Sequence, residues 1–272
     1  MNELDSPQLI DTDRRRMAAR KGSLVSTSEA LEVQVGSVDK RPSGGPSETT
    51  APVGLKRLLG DRWSCRAYLP DQVPDDVIAE MFGIAQRTAS WCNTQPWQVY
   101  LTKGEVTGRF AASLTDHART HQPVSDLETP AEYRGVYKER RRGAGYALYA
   151  SLGIAREDWD AREAQRLRNF EFFGAPHVAV ITTDRDQGVY GAIDCGGYVA
   201  NLINAATSLG VATIPQAAIA THSDHVRAFF QIPSDRLIVC AVSFGYADTG
   251  HPVNQFRTTR ADVEDTVVIV NH

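Results

Sequence analysis

Two basic clusters, far apart in the chain, contain the residue types best suited to binding an anion. In the segment RWSCRAY, Arg62, Ser64 and Arg66 stand at alternate positions. Alternate side chains of an extended segment share one face, so two guanidinium groups and a hydroxyl could converge on one phosphate. The segment NQFRTTR adds Arg257 and Arg260 near the other end of the chain. Solvated surface arginines are the alternative interpretation, and either motif taken alone favours it.

A second candidate segment is ASWCNTQPW, which runs from Ala89 to Trp97 and combines two tryptophans, a cysteine, two amides and a proline. It follows a helical pattern and precedes the alternating apolar run WQVYLTK. The sequence therefore predicts a loop between a helix and a strand. Loops in such positions usually carry function rather than packing.

The cysteines and histidines do not indicate a nucleophile or a metal centre. Four cysteines stand far apart without a CxxC pair, so we expect them to be reduced, intracellular and structural; they are Cys65, Cys92, Cys195 and Cys240. His117 and His121, four positions apart, could face one way on a helix, but no third ligand accompanies them at a recognisable spacing. We predict no metal site and assign no catalytic acid or base.

The composition narrows the class of protein. The chain has 272 residues, 42% of them hydrophobic, and a net charge of −4, which argues against a general nucleic-acid-binding surface. Its longest apolar runs, such as LIVCAV, are far shorter than the roughly 20 residues needed to cross a bilayer. The arginine-rich tract YKERRRGAGYALY is interpreted as a solvated helix face or a lid over a substrate site. We expect a soluble cytoplasmic protein without nucleic-acid or membrane partners.

The first 50 residues differ in composition from the rest. They are rich in Pro, Gly, Ser and Thr, as in RPSGGPSETTAP, and contain few large apolar side chains. We predict a disordered extension over residues 1–50, and a regulatory or targeting role is the alternative to a tail without function. In the basic stretch DRRRMAARKG the arginines follow four acidic residues, the last of them Asp13, and no apolar segment comes after it, a pattern that fits neither a secretory signal nor a transit peptide.

From residue 51 onward, helical and strand patterns alternate. Three segments are predicted to be helices: DDVIAEMFGIAQR, DCGGYVANLINAATSLG with Gly210 as its terminator, and SDHVRAFFQI with Ser223 as its N-cap. Four further segments are predicted to be strands: HVAVITT, VATIP, LIVCAVSFGY and TVVIV, from Thr266 to Val270. Because the alternation lacks a strict βαβ rhythm, it favours an α+β layered fold over a doubly wound sheet.

The motifs RWSCRAY, SWCNTQPW, LGVATIPQAA and SFGYAD with FRTTR occur in the order and spacing of the FMN-dependent nitroreductase family, which residues 55–270 resemble. The resemblance implies one FMN-binding domain over residues 51–272, with a central, mostly antiparallel sheet flanked by helices. It also implies an intertwined homodimer with FMN sites at the interface. Such proteins take hydride from NADH or NADPH and pass electrons to nitroaromatics, quinones or related acceptors.

The same resemblance implies a role for each motif. The phosphate, ribityl chain and pyrimidine edge of FMN would contact the first basic cluster, completed at the phosphate by the second: Arg62, Trp63, Ser64, Arg66, Arg257 and Arg260. The opposite subunit would lay the loop residues Ala89, Ser90, Trp91, Asn93 and Gln95 against the flavin. The backbone of Pro215, Gln216 and Ala217 would pass the hydride-accepting nitrogen, where an N–H can stabilise the reduced ring.

The chain departs from the family pattern at several positions. Many members have Pro-x-Glu-Gly where this chain has Pro215-Gln216-Ala217-Ala218, so their substrate and donor preferences do not carry over. Ala89 replaces the usual proline, and the large Trp91 could stack on a flat ligand or pack in a dimer core. The alternative functions are a reductive dehalogenase, a flavin-consuming oxygenase and a flavin-binding protein without turnover.

Overall fold

The fold is built from four strands and eight helices within residues 52–271, which are the residues that the computed structural model describes. The predicted extension over residues 1–50 lies outside the described residues. The helices are α1 (Pro52–Asp61), α2 (Asp75–Ala85), α3 (Glu105–Thr120), α4 (Gly135–Ser151), α5 (Trp159–Leu167), α6 (Gly188–Ser208), α7 (Ala217–Ala220) and α8 (Ser223–Phe230). The strands are β1 (Trp97–Lys103), β2 (His177–Asp184), β3 (Ala212–Gln216) and β4 (Arg236–Gly245).

The four strands form one antiparallel sheet in the order β1-β2-β4-β3. The apolar, β-branched sequence HVAVITT places β2 in the middle, where all of residues 177–183 are buried. Across the sheet, Val180 lies opposite Tyr100 of β1 and Ala241 of β4. The predicted layered α+β fold with an antiparallel sheet is confirmed.

Successive side chains of β2 point to opposite faces of the sheet, and each face has its own core. Ala179 and Ile181 join the core formed with α2 and α6, which includes Met81 and Leu202. Val178 and Val180 join the core formed with α3 and α8, which includes Phe110, Leu114 and Val226. The sheet is therefore covered on both faces, which leaves its edges and strand ends as the places where polar segments attach.

Most of the predicted elements are confirmed, and three predictions need correction. The long buried helix α6 begins at Gly188, earlier than the pattern indicated. Ser223 is not an N-cap: it is the first residue of α8, His222 precedes it, and its Oγ donates a hydrogen bond to the Val124 carbonyl at 3.0 Å. The segment TVVIV forms no strand, and its side chains are exposed. A strand needs backbone hydrogen bonds from a neighbour, and no segment within residues 52–271 pairs with this one.

The described part of the chain can be compared with the predictions about membrane spans and cysteines. None of its helices has the length and apolar character that a bilayer crossing requires. All four cysteines are unpaired; Cys65 and Cys195 are buried, whereas Cys92 is exposed, in contrast to the structural position expected for it. Cys92 belongs to a loop that projects its side chains outward, so no core surrounds its thiol.

Four histidines gather where α3 meets α8. The His117 ring stacks on His121 with centroids 4.0 Å apart and on His225 at 4.5 Å, and the edge of His222 approaches it at 5.2 Å. His117 and His121 thus share a helix face, as their spacing indicated. Within residues 52–271, no group of three or more His, Cys, Asp or Glu side chains is arranged to hold a metal ion. Burial lowers the pKa of His222 and of His225 below the ordinary value of 6.5, and the neighbouring His117 lowers both further.

Acidification should therefore destabilise the protein. A histidine that is harder to protonate when folded lets the unfolded chain take up protons first, so the free energy of unfolding falls as the pH drops below about 6.5. Thermal unfolding between pH 7.5 and pH 5 should show a decreasing Tm in the wild type and a flatter profile in the double variant His222→Gln, His225→Gln. Equal slopes of Tm against pH in the two proteins would contradict the prediction, whatever their absolute stabilities.

Candidate functional site

The first arginine segment, residues 62–68, runs extended along the edge of the sheet. The Cys65 N–H donates to the Thr213 carbonyl at 3.0 Å, and Ser64 forms a parallel bridge with Thr213 of β3. Four residues later, the Leu69 N–H donates to the Tyr246 carbonyl at 2.8 Å, just after β4 ends. The segment is thereby attached to two parts of the sheet, in the extended conformation that the alternate spacing of its polar residues requires.

The two basic clusters meet in the fold. They line one cavity of about 290 Å³, whose polar wall consists of Arg62, Trp63, Ser64, Arg66, Arg257, Thr258 and Arg260. Leu59, Gly60 and Phe256 complete its lining. The structure therefore brings together all six residues of the predicted phosphate site, although almost 200 positions separate the two clusters along the chain.

The arginines of this cavity are held by neutral partners. Arg66 Nη1 donates to the Ser64 carbonyl at 3.1 Å, and the Arg66 guanidinium lies 5.6 Å from the centroid of Phe256. Arg257 packs on the Trp63 ring at 4.5 Å and donates from Nη1 to the carbonyl of residue 254 at 2.8 Å. Arg260 donates to Thr258 Oγ1 at 2.9 Å. None of the four cavity arginines forms a salt bridge with a carboxylate in the described part of the chain.

Positive charge therefore accumulates without compensation at the cavity. Burial and then the charge of Arg260 lower the pKa of Arg62, and burial lowers the pKa of Arg66. An arginine remains protonated despite such shifts, so the like charges stay together at the cavity and a bound anion would stabilise them. The buried Trp63 Nε1–H has no hydrogen-bond partner within the described residues, which leaves one more donor beside the arginines. Converging guanidinium groups, a hydroxyl and a spare N–H fit a phosphate well.

The predicted segment Pro215, Gln216 and Ala217 lies on the same edge of the sheet but does not line this cavity. It begins two residues after Thr213, to which the arginine segment is paired, and it joins the end of β3 to α7. The Gln216 side chain is buried; its Nε2 donates to the Asn169 carbonyl at 2.9 Å and its Oε1 accepts from Ser243 Oγ. Since that side chain is occupied inside the protein, the backbone of this segment is what it can offer to a ligand.

The loop predicted to cover the cofactor lies elsewhere in the chain. It docks on the start of α6, where the Trp91 N–H donates to Asp194 Oδ2 at 3.1 Å and the Trp91 ring meets Tyr190 edge-on at 4.2 Å. Within the loop, the Gln95 N–H donates to Ser90 Oγ at 2.9 Å, and Gln95 Nε2 donates to Asn93 Oδ1 at 3.2 Å. None of residues 89–95 lines the arginine cavity. One chain alone does not bring this loop to the arginines, so its supply by an opposite subunit stays a prediction.

The loop has an unusual backbone for its sequence. Cys92, Asn93 and Gln95 have φ values of 47°, 58° and 47°, in the left-handed region that non-glycine residues seldom adopt. Three such residues in one short loop indicate a conformation held by its neighbours, here by the Ser90 and Asp194 hydrogen bonds. The Trp91 side chain remains 53% exposed.

Sequence reasoning missed three residues around the arginines. Phe173 and Phe256 lie on the Arg66 guanidinium, and Asn254 bonds to the backbone beside it. Asn254 and Phe256 lie within the recognised segment NQFRTTR, and that proximity to Arg257 was the one available signal. Phe173 comes from a turn more than 80 residues from either cluster, so nothing in the sequence connected it with them.

Comparison of this chain with known proteins identifies its family. The nitroreductase family model matches residues 59–246, most of the described chain. This chain belongs to the nitroreductase family. That match and the relatives of the chain confirm three predictions: the family, its layered fold and the oxidoreductase class.

Individual relatives cover nearly the same region. The chain is 36% identical over 212 residues to the nitroreductase NfnB of Mycolicibacterium smegmatis, covering 78% of this chain and 90% of that protein. It is 34% identical over 222 residues to a 4-nitrobenzoate reductase of Nocardioides sp., covering 78% and 88%. The crystal structure of the FMN-dependent NfnB from Mycobacterium smegmatis in complex with NADPH superposes with a TM-score of 0.77 at 34% identity, covering 80% of this chain and 98% of that one.

The cavity makes a direct prediction for this nitroreductase-family chain. Arg62→Ala and Arg66→Ala should each weaken FMN binding by about 1.5–3 kcal/mol, roughly tenfold to hundredfold, because each removes a charged donor from the phosphate. Both variants should purify with much less visible flavin absorbance than the wild type. Arg119→Ala provides the control, since Arg119 is exposed on α3 beside Asp116. Full flavin content in both cavity variants would contradict the site.

Proposed function

We propose that this protein is an FMN-dependent oxidoreductase that uses NADPH to reduce nitroaromatic compounds. One observation carries the proposal: four arginines, free of carboxylate partners within the described residues, line one cavity with Ser64 and Trp63. Two relatives supply the chemistry, because the structure of NfnB is of an FMN-dependent nitroreductase in complex with NADPH and another relative is a 4-nitrobenzoate reductase. The FMN-binding domain in this proposal comprises residues 51–272.

The residues of the cavity have separable tasks in this proposal. FMN, when bound, supplies the redox chemistry, accepting hydride from the nicotinamide and delivering electrons to the acceptor. Arg62, Arg66 and Arg260 hold the phosphate by charge and hydrogen bonds, and the Ser64 hydroxyl adds a neutral contact. Trp63 keeps Arg257 beside them through its ring face. Farther along the same sheet edge, the backbone of the segment Pro215 to Ala217 would supply donors from the N–H groups of Gln216 and Ala217, as the family resemblance implies.

We further propose that the protein acts as a homodimer with a composite site. Two apolar surfaces of the single chain support a second copy as partner. One is the docked Trp91 with its exposed neighbours on α6, Val189, Tyr190 and Ile193. The other is the tail from Val267 to Val270, whose four side chains are all exposed. Contiguous exposed apolar surface of this kind marks an interaction site. A cytoplasmic location is part of the proposal and agrees with the four unpaired cysteines.

The proposed reaction can be tested with the purified protein. It should contain FMN and oxidise NADPH only when an acceptor such as 4-nitrobenzoate is present, and Arg66→Ala should lose this activity in proportion to its flavin content. Benzoquinone and a halophenol, tested in parallel with NADPH and NADH, distinguish quinone reduction and dehalogenation from nitro reduction. Stoichiometric FMN without turnover of any acceptor would contradict the proposal in favour of a flavin-binding protein.

The composite site makes a separate prediction about mixed dimers. Arg62→Ala damages the phosphate end, and replacing residues 89–91 by glycine damages the loop. If the two parts come from different subunits, a mixed dimer collects both lesions in one site and leaves the other intact. Co-expressed chains with distinct tags should then recover about half the wild-type activity per dimer, as expected for a two-fold interface. A mixed dimer as inactive as its parents would show that loop and arginines act within one chain.

A further inference from the structure

Asn254 occupies the junction between the two basic clusters. It ends a short turn of residues 252–254 that follows β4, and only 3% of its surface is exposed. The buried carboxamide makes three hydrogen bonds: Oδ1 accepts from the Arg66 N–H at 2.9 Å, and Nδ2 donates to the carbonyls of Ala67 at 2.9 Å and Asp248 at 2.8 Å. The amide oxygen faces one N–H group, and the amide nitrogen faces two carbonyl groups. Only one orientation of the amide therefore satisfies all three bonds.

This amide completes the hydrogen bonding between two pairings of the arginine segment. The segment pairs with β3 up to Cys65 and with the chain after β4 from Tyr68 onward. Between these pairings, the Arg66 N–H bonds to the Asn254 carboxamide, and the Ala67 carbonyl accepts from the Asp248 N–H at 3.0 Å as well as from Asn254 Nδ2. A carboxamide carries the same donor and acceptor as a peptide group, so it satisfies the Arg66 N–H as a neighbouring strand would.

The same residue also holds the second basic cluster. Its backbone carbonyl accepts from Arg257 Nη1 at 2.8 Å, while its side chain fixes the peptide that carries the Arg66 side chain. The guanidinium of Arg66 then lies between Phe173 and Phe256, at 6.0 Å and 5.6 Å from the ring centroids. Arginines from both clusters are thus set in place by one neutral residue that does not line the cavity.

We propose that Asn254 is a positioning residue for the phosphate of the flavin: its carboxamide and carbonyl align Arg66 and Arg257 toward one anion without adding a charge. The inference rests on the proposed function, because it assumes that the anion in the cavity is the FMN phosphate. A neutral amide suits this role better than a carboxylate, which could accept from the Arg66 N–H but could not donate to the carbonyls of Ala67 and Asp248 and would add a negative charge beside the arginines.

Riboflavin provides the discriminating ligand because it has the ring and ribityl chain of FMN but no phosphate. In protein stripped of its flavin, Asn254→Leu should raise the Kd for FMN at least about tenfold and leave the Kd for riboflavin within about twofold. Asn254→Ala removes the same three side-chain bonds and serves as the second variant should Asn254→Leu fail to fold. Thr107→Val is the matched control: Thr107 is buried and its Oγ1 bonds to Thr102 Oγ1 and the Pro176 carbonyl, away from the cavity.

Coupling supplies a second readout. Because the Asn254 carboxamide acts through Arg66, the double variant Asn254→Ala, Arg66→Ala should weaken FMN binding by clearly less than the product of the two single effects. The inference is overturned if FMN affinity falls no further than in Thr107→Val, if riboflavin affinity falls in parallel with it, or if the single effects simply multiply. A wild-type protein that does not prefer FMN over riboflavin would instead contradict the proposed function itself, so the two failures are distinguishable.

Discussion

The hydrogen bond from Cys65 to Thr213 is the contact on which the anion site depends. Thr213 lies opposite Phe244 of β4, and Phe244 lies opposite His177 of β2, which in turn faces Lys103 of β1. One row of residues thus crosses the whole sheet and ends at the arginine segment. The His177 ring stacks on Phe244 at 4.9 Å, and its Nε2 accepts from the Val73 N–H, so the row is reinforced on the face of the sheet that α2 and α6 cover. Because the arginine segment is bonded to the end of this row, the rigid core of the sheet holds its arginines in place.

Four cations around one cavity repel one another, which lowers the stability of the folded state. The groups that contact these arginines limit this cost. The guanidinium groups contact backbone carbonyls, a threonine hydroxyl and aromatic faces, all of which stabilise positive charge without cancelling it. Carboxylate partners would relieve the repulsion between Arg62 and Arg260 but would also compete with a phosphate. An anion that binds here relieves the same repulsion, so its binding must stabilise the folded state by linkage.

The sequence was most informative where a local pattern decides the structure. The apolar run of HVAVITT predicted β2, and the alternate spacing of Arg62, Ser64 and Arg66 indicated that these side chains could converge on one anion if the segment were extended. It was less informative where tertiary contacts decide. Ser223 has the ideal type for an N-cap, yet its hydroxyl bonds to Val124, almost 100 positions away in the chain. The run TVVIV has the composition of a strand, but composition does not supply the neighbour that a strand requires.

The tertiary organisation also explains why the loop at Trp91 and the arginines stay apart within one chain. The loop docks near Asp194, at the start of α6, whereas the arginine segment lies beyond its end, next to Thr213. The 15 residues from Asp194 to Ser208 span about 20 Å of helix, which separates the two parts of the predicted site.

Two copies can remove this separation in a way that one chain cannot. If two α6 helices pack antiparallel about a two-fold axis, the start of one lies beside the end of the other, and the Trp91 loop of each copy approaches the arginines of its partner. The exposed face of α6 carries Gly196, Gly197 and Ala200, whose small side chains permit such a close approach. The length of α6 then sets the distance between loop and arginines, so a change of even one helical turn would move the loop about 5 Å along the partner's site.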